Sequence, residues 1–190
     1  MTPVLHVLAG PNGAGKSTFV ARVLQPVTHL PFVNADEIAR ERWPGDELDH
    51  AYHASRAAAD QRRRMLANGE SFITETVFSH HSKVALVTQA VALGYLVNLH
   101  LILVPADLAV QRVTERVRRG GHEVPEEKIR SRYARLLKLV VDARAVADRS
   151  TFYDNSTARS PFRVVATYER GRLVGEANWP AWTPTVLTRA

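Results

Sequence analysis

The sequence GPNGAGKST, residues 10–18, lies between an apolar run, Val4–Ala9, and residues 16–25, which have helical character. A phosphate-binding P-loop places a glycine-rich loop between a strand and a helix in this way. The spacing Gly-x-x-x-x-Gly-Lys-Ser fits the P-loop pattern without a gap. Glycine permits positive φ, so successive backbone N–H groups can surround an anion at the positive end of the helix. The motif predicts a binding site for a nucleoside triphosphate.

The positions of this motif have separate predicted roles. Lys16 is expected to reach the β- and γ-phosphates, and the hydroxyl of Ser17 is expected to ligate Mg²⁺. The alternative is a glycine-rich turn that matches the P-loop pattern by accident. Average residue usage predicts such a match in only about 1% of random chains of this length. The residues predicted to contact the triphosphate are Gly10, Pro11, Asn12, Gly13, Ala14, Gly15, Lys16, Ser17 and Thr18.

The bulk properties of the chain restrict its class. Its 190 residues are predicted to form a single domain, residues 1–190, and include no cysteine, which excludes disulfides and cysteine nucleophiles. The apolar runs are strand-sized, so we expect a cytoplasmic protein without a membrane span. The net charge of +6 favours anionic partners, either a nucleic acid or the phosphates of a nucleotide.

Predicted strands and helices alternate along the chain, which indicates a parallel sheet with helices on both faces. After the first strand and helix, the predicted strands are residues 29–33, 71–75, 95–104 and 151–153, and the predicted helices are residues 48–68, 82–93, 108–119 and 125–148. Residues 163–168 and 173–174 predict a hairpin. The expected fold class is α/β, a three-layer sandwich of the P-loop kinase type with a mostly parallel five-stranded sheet and a small C-terminal hairpin.

Two carboxylates follow predicted strands at the edge where α/β proteins bind ligands. Asp36 follows the second strand and is predicted to accept the proton of an acceptor hydroxyl during phosphoryl transfer. The alternative for this segment is helix capping, with Asn34 or Asp36 as the N-cap. Glu75 ends the third strand and is predicted to position the acceptor. Thr76 belongs either to that acceptor site or to the strand alone.

Arginines cluster around a pair of glycines, Gly120 and Gly121. Arg112, Arg116 and Arg119 have the spacing of one helix face, and Arg132 lies beyond the glycines. Arginines on both sides of a glycine hinge predict a lid, about residues 112–135, that closes over the triphosphate and neutralises its charge. The alternative is a solvated basic surface.

Together these segments resemble the zeta toxin family of P-loop kinases. The resemblance covers VLHVLAGPNGAGKSTF, FVNADEIA, FITETVFS, RVRRGGHEVPEEKIRSRYARL and FYDNS, of which the first is shared by P-loop proteins generally. The resemblance implies the fold of a small phosphotransferase that uses ATP, with UDP-N-acetylglucosamine as acceptor and a small antitoxin protein as partner. It also implies that Asp36 is the base and that Glu75 binds the acceptor.

The same resemblance assigns the basic residues. Arg116 and Arg132 match the two arginines that clamp the phosphates, with Arg119 as a rival for the first, and Arg112 matches an arginine that packs on adenine. Asn155, after the fifth strand, is expected to border the base. The expected function is a magnesium-dependent ATP (or GTP) phosphotransferase acting on a small hydroxyl-bearing acceptor. The alternatives are a polynucleotide or nucleoside kinase, a simple ATPase and a non-catalytic ATP-binding switch.

Overall fold

The computed structural model describes residues 2–119 and 124–188. Its strands are β1 (Val4–Ala9), β2 (Phe32–Val33), β3 (Phe72–Thr76), β4 (Leu96–Leu103), β5 (Arg149–Asp154), β6 (Arg163–Glu169) and β7 (Arg172–Leu173). Its helices are α1 (Lys16–Phe19), α2 (Gln25–Thr28), α3 (Ala35–Arg42), α4 (Ala51–Ala67), α5 (Ser82–Ala92), α6 (Ala106–Arg118), α7 (Glu126–Val146) and α8 (Thr185–Thr188), and a π-helical segment, Val20–Leu24, joins α1 to α2. No helix in this part of the chain is long and apolar enough to cross a membrane.

The strands form one sheet in the order β2-β3-β1-β4-β5-β6-β7. The first five strands of this order are parallel, as predicted, and β6 and β7 are antiparallel to their neighbours. The sheet therefore has seven strands, and the prediction of five was wrong because the C-terminal hairpin pairs with β5 instead of standing apart. Pairing with β6 covers a strand edge of β5 that would otherwise be open to other chains.

Alternating side chains of the central strands fill two separate cores, one on each face of the sheet. In β4, Leu99, Leu101 and Leu103 pack into the core shared with α4, α5 and α7. Ile102 packs on the opposite face, with residues of α1, the π-helical segment and α6. This arrangement is the predicted three-layer sandwich, and it brings the carboxyl ends of β1 and β3 together beside the P-loop.

The segment around β2 differs from its prediction. His29 has a left-handed φ of 54° and ends α2, which leaves only Phe32 and Val33 in the strand. Helix α3 begins immediately afterwards, with Asn34 as its N-cap, because the Asn34 side chain accepts a hydrogen bond of 2.7 Å from the backbone N–H of Asp36. The capping interpretation is therefore correct for Asn34, and the side chain of Asp36 is left exposed to act elsewhere.

A chain of buried polar rings lies beneath the first helix. The Nε2 atom of His100 is 3.0 Å from Nδ1 of His6, and Nδ1 of His100 is 3.3 Å from the hydroxyl of Tyr153. The ring of Phe19 packs against His100 and Tyr153. Burial, reinforced by the charges of His6 and Arg149, lowers the pKa of His100 to about 3. His100 is therefore neutral in the folded protein at neutral pH.

We expect this histidine to make the fold sensitive to mild acid. The pKa of His100 is about 3 in the folded protein, below the ordinary histidine pKa of 6.5. Between these two pH values the unfolded chain binds a proton that the folded protein does not, so stability falls as pH falls. The loss is about 1.4 kcal/mol per pH unit within this window. The variant His100→Gln should show a shallower loss when unfolding free energies are measured by urea titration across that range. Its matched control is His80→Gln, at an exposed histidine; equal slopes in the two variants would contradict the assignment.

Candidate active site

The P-loop of residues 10–18 connects β1 to α1 in a shape that two glycines make possible. Gly13 and Gly15 have left-handed φ values of 78° and 93°. A Cβ atom at Gly13 would lie 2.8 Å from the carbonyl oxygen of Ala109, and one at Gly15 would lie 2.7 Å from Nδ2 of Asn155. Gly15 is also the N-cap of α1. The loop therefore packs tightly against its supports while its inner side faces the helix terminus, where an anion is stabilised.

The outer side of the loop is held by Arg112 and Asn155. The Nδ2 atom of Asn155 donates to the carbonyl of Ala14 at 2.8 Å. The guanidinium of Arg112 donates to the carbonyl of Asn155 at 2.9 Å and approaches the carbonyl of Gly13 at 3.4 Å. Both residues were predicted to lie at the nucleotide. The structure places them against the loop backbone, where they hold the carbonyl groups of Ala14 and Gly13.

Removing the Asn155 amide should weaken nucleotide binding. In Asn155→Ala the buried carbonyl of Ala14 loses its donor, which costs about 1–3 kcal/mol, and the loop loses a contact that holds its shape. We expect the Kd for ADP, measured by calorimetry, to rise by roughly tenfold, with a lower melting temperature. Asn68→Ala is the matched control, since Asn68 is an exposed residue that bonds only to Glu70 on the surface. An unchanged ADP affinity in Asn155→Ala would contradict this role.

Lys16 and Ser17 meet Glu75 at the end of β3. The hydroxyl of Ser17 donates to Oε2 of Glu75 at 2.7 Å, and Nζ of Lys16 lies 3.7 Å from Oε1. Lys16 also donates to the carbonyl of Pro11 at 3.0 Å. The amide of Asn34 donates to the same carboxylate at 3.2 Å. Glu75 is thus oriented by three groups from two separate segments, the start of α1 and the residue that caps α3.

Charges from several elements act on the buried ammonium group of Lys16. Burial lowers its pKa, the carboxylates of Glu75 and Asp36 oppose that shift, and the guanidinium of Arg116 adds to it. The side chain of Lys16 is only 6% exposed. Four residues that the sequence indicated separately, Lys16, Asp36, Glu75 and Arg116, therefore interact electrostatically through Lys16.

These residues fit a nucleotide and a magnesium ion. Oδ1 of Asn12 is buried without a hydrogen-bond partner among residues 2–119 and 124–188, so an acceptor atom is available beside the loop. Ser17 and Glu75 offer a hydroxyl and a carboxylate, which are ligands that Mg²⁺ prefers when phosphates and water complete its shell. No group of three or more histidine, cysteine or acidic residues in the described chain forms a metal cage.

The predicted lid arginines have different surroundings. Arg119, with an exposed side chain, forms an ion pair of 2.9 Å with Glu115, as a solvated surface residue would. Arg132 is half-buried, forms no ion pair within the described residues, and has a pKa lowered by burial and by Arg135. The charge of Arg116 acts on Lys16, and the choice between Arg116 and Arg119 as the first clamp stays a prediction. The predicted hinge, residues 120–121, lies outside the described residues, and the lid stays a prediction.

The remaining predicted contacts are less informative. Thr18 is exposed in α1. The hydroxyl of Thr76 accepts a hydrogen bond of 3.1 Å from the N–H of Phe78, a buried residue with a left-handed φ of 60°. Such backbone strain in a non-glycine residue is typical of functional sites.

The role of Asn34 at Glu75 was missed, although its position directly after a strand in the acidic NADE segment was a usable signal.

The chain belongs to the AAA domain family (AAA_33), which it matches over residues 5–139. No curated protein sequence is significantly similar to it. The family match includes the P-loop, both carboxylates at the strand ends and the first residues of α7.

Solved structures share the fold of this chain. It is similar to a chain of the PezAT toxin–antitoxin system of Streptococcus pneumoniae, with a TM-score of 0.65 and 17% identity over 86% of this chain and 72% of that one. It is also similar to a chain of the AvrRxo1-ORF1:-ORF2 complex with ATP, with a TM-score of 0.70 and 15% identity over 91% of this chain and 60% of that one. Shikimate kinase from Acinetobacter baumannii gives a TM-score of 0.51 and 21% identity over 85% of this chain and 88% of that one. The predicted zeta-toxin-like P-loop kinase fold is confirmed.

Proposed function

We propose that this protein is a magnesium-dependent phosphotransferase that moves the γ-phosphoryl group of ATP or GTP to a hydroxyl group of a small acceptor. The observation that carries the proposal is the convergence of Lys16, Ser17 and Glu75 at the mouth of the P-loop, with the exposed carboxylate of Asp36 close enough to act on Lys16. A binding module has no need of an exposed carboxylate beside the phosphate site, whereas transfer to a hydroxyl needs a proton acceptor there.

Each residue has a defined task in this proposal. Lys16 and the loop N–H groups hold the β- and γ-phosphates, and Asp36 accepts the proton of the acceptor hydroxyl. Arg116 and Arg132 neutralise charge on the transferred group. Glu75 orients the acceptor from the end of β3.

Ser17 and Glu75 would hold the magnesium ion. When bound, Mg²⁺ neutralises charge that develops on the phosphate oxygens. The hydrogen bond between the two side chains, 2.7 Å long, keeps the carboxylate next to the hydroxyl that serves as ligand. Glu75 therefore serves the metal as well as the acceptor.

The identity of the acceptor is proposed from resemblance. The resemblance to zeta toxins makes UDP-N-acetylglucosamine the leading named candidate, and the similarity to a toxin–antitoxin complex supports a small antitoxin protein as a partner. Both are proposals, since identities below 25% reach only as far as the fold.

A second candidate is a nucleoside or the 5′ end of a nucleic acid. Aromatic rings cluster where α3 leads into α4: Trp43 stacks on His50 with ring centroids 4.7 Å apart, and His53 lies beside both. Tyr52 next to them is 70% exposed. Exposed aromatic rings on a basic protein are typical of surfaces that stack nucleobases.

The test mixes the purified protein with Mg²⁺, γ-labelled ATP and a panel of UDP-sugars, nucleosides, dinucleotides and 5′-hydroxyl oligonucleotides. Label on UDP-N-acetylglucosamine supports the zeta-type acceptor, and label on a nucleoside or oligonucleotide supports the second candidate. Label on no acceptor, with ATP bound and not consumed, contradicts phosphotransfer and favours the binding switch. Release of labelled phosphate regardless of the acceptor indicates a simple ATPase.

A further inference from the structure

Arg62 is a buried cation on the apolar face of α4. Its side chain is 8% exposed, and it continues the buried stripe that begins with Ala54 and Ala58. Among the described residues, its guanidinium has one hydrogen bond, a long one of 3.5 Å to the hydroxyl of Thr74. That hydroxyl already donates to the carbonyl of Val33 at 3.0 Å. An arginine presents five donors, so the described residues leave most of the hydrogen-bonding capacity of Arg62 unused.

A second cation lies beside it. Lys83 is half-buried in the first turn of α5, and the charge of Arg62 adds to burial in lowering the pKa of Lys83. The first turn of α5 contains no acidic residue, although the positive end of a helix favours one. The ion pairs of the described residues include none to Arg62 or Lys83.

This pairing is unfavourable for the protein alone. Buried charges are normally paired, and two like charges taken from water without an anion destabilise a fold. The neighbouring Arg63 shows the ordinary solution, since it is exposed and forms an ion pair with Asp60. Arg62 and Lys83 would thus form the wall of a pocket for an anion from outside the chain.

We propose that Arg62 and Lys83 bind an anionic group, a phosphate or a carboxylate, of the acceptor molecule. This inference rests on the proposed phosphotransfer, because it assigns the pocket to the acceptor. Thr74, which Arg62 contacts, lies on the face of β3 that packs against α4, and Glu75 lies on the opposite face. Lys83 lies in the first turn of α5, the helix that follows the carboxyl end of β3. An acceptor with its hydroxyl group at Asp36 and its anionic group at Lys83 and Arg62 would therefore lie on the α4 side of β3.

The pocket defines a substrate class. Acceptors that carry a phosphate or carboxylate besides the reacting hydroxyl, such as sugar phosphates, nucleotides or hydroxy acids, are bound productively. Neutral sugars and nucleosides leave both cations unpaired and are bound weakly. The selection arises from charge and is independent of the P-loop.

The first experiment measures anion binding without any catalysis. The parent protein for this experiment is the Lys16→Met variant, which weakens anion binding at the P-loop. Its melting temperature is measured at increasing concentrations of inorganic phosphate and, separately, of acetate, at constant ionic strength. Arg62→Met is compared with Arg63→Met, which removes the same charge from the same helix. We expect stabilisation by phosphate or acetate in the parent and in Arg63→Met, and a loss of apparent affinity of roughly tenfold or more in Arg62→Met. The more effective anion distinguishes a phosphate from a carboxylate site.

The variants also separate binding from folding. Without anion, Arg62→Met should be at least as stable as its parent, because it removes a buried unpaired charge. Lys83→Met is the second variant, since this half-buried side chain can be removed without opening the core, and it should lose anion binding in the same way. An equal response of Arg62→Met and Arg63→Met to both anions, or no response of the parent, would overturn the inference.

A kinetic experiment tests whether this pocket binds the acceptor. With Lys16 intact, Arg62→Met should raise KM for anionic acceptors by roughly tenfold, while KM for ATP stays unchanged. If no acceptor is labelled but phosphate still binds through Arg62, the proposed phosphotransfer fails and the anion site stands. If acceptors are labelled and KM is unaffected by Arg62→Met, the assignment of the pocket to the acceptor fails.

Discussion

Replacing Asp36 with asparagine should lower the rate of phosphoryl transfer about 100-fold to 10,000-fold, the usual contribution of a positioned proton acceptor. Asparagine keeps the size of the side chain and the backbone N–H that Asn34 caps, so α3 should form normally. The affinity for ATP should not fall, because the loop and Lys16 are untouched. Single-turnover transfer of γ-label to the acceptor identified from the panel measures the rate, and calorimetry measures the affinity.

The neighbouring residue provides the control for Asp36. Glu37 is an exposed acid in the same first turn of α3, and Glu37→Gln makes the same chemical change one residue away. It should retain nearly all transfer activity. If both variants lose activity equally, the effect comes from charge near the site, and Asp36 is not the proton acceptor.

Replacing Lys16 with methionine should remove both tight ATP binding and transfer. Methionine keeps most of the length of the side chain but cannot donate to the phosphates. Loss of a preorganised donor of this kind lowers the rate about 100-fold to 1,000-fold. The variant also leaves Glu75 without its nearby ammonium group, while Ser17 and Asn34 still donate to the carboxylate, so the fold should persist.

Calorimetry with ADP and single-turnover transfer measure both effects of Lys16→Met, and far-ultraviolet circular dichroism checks the fold. Lys138→Met, at an exposed position of α7, is the control for loss of a lysine charge. Tight ADP binding by a folded Lys16→Met variant would show that the loop amides alone hold the phosphates and that Lys16 has a lesser role.

The local parts of the fold could be read from the sequence because their causes are local. The P-loop follows from glycine spacing. The positions of Asp36, just after β2, and of Glu75, near the end of β3, follow from apolar runs that stop at an acid. The hairpin of β6 and β7 could be predicted from its own pattern, but its pairing with β5, which makes the sheet seven-stranded, is a tertiary contact that this pattern does not encode.

The site likewise contains residues that local sequence predicts and residues whose contacts depend on long-range packing. Lys16, Ser17 and Glu75 were predicted and lie together, but the contact of Asn155 with the outer side of the P-loop depends on packing across 141 residues. Arg62 was overlooked because it stands in a run of three arginines. Its spacing of four and eight residues from Ala58 and Ala54 places it on the buried face of α4, and this periodicity was the available signal.

The order in which the sheet is assembled affects when the protein becomes active during synthesis. The strand made first, β1, occupies the middle of the sheet, and its neighbours β3 and β4 are translated much later. The amide that holds the P-loop comes later still, at Asn155. A nascent chain that ends before Asn155 lacks this support and the strands β6 and β7, so nucleotide binding should begin only after Asn155 has left the ribosome.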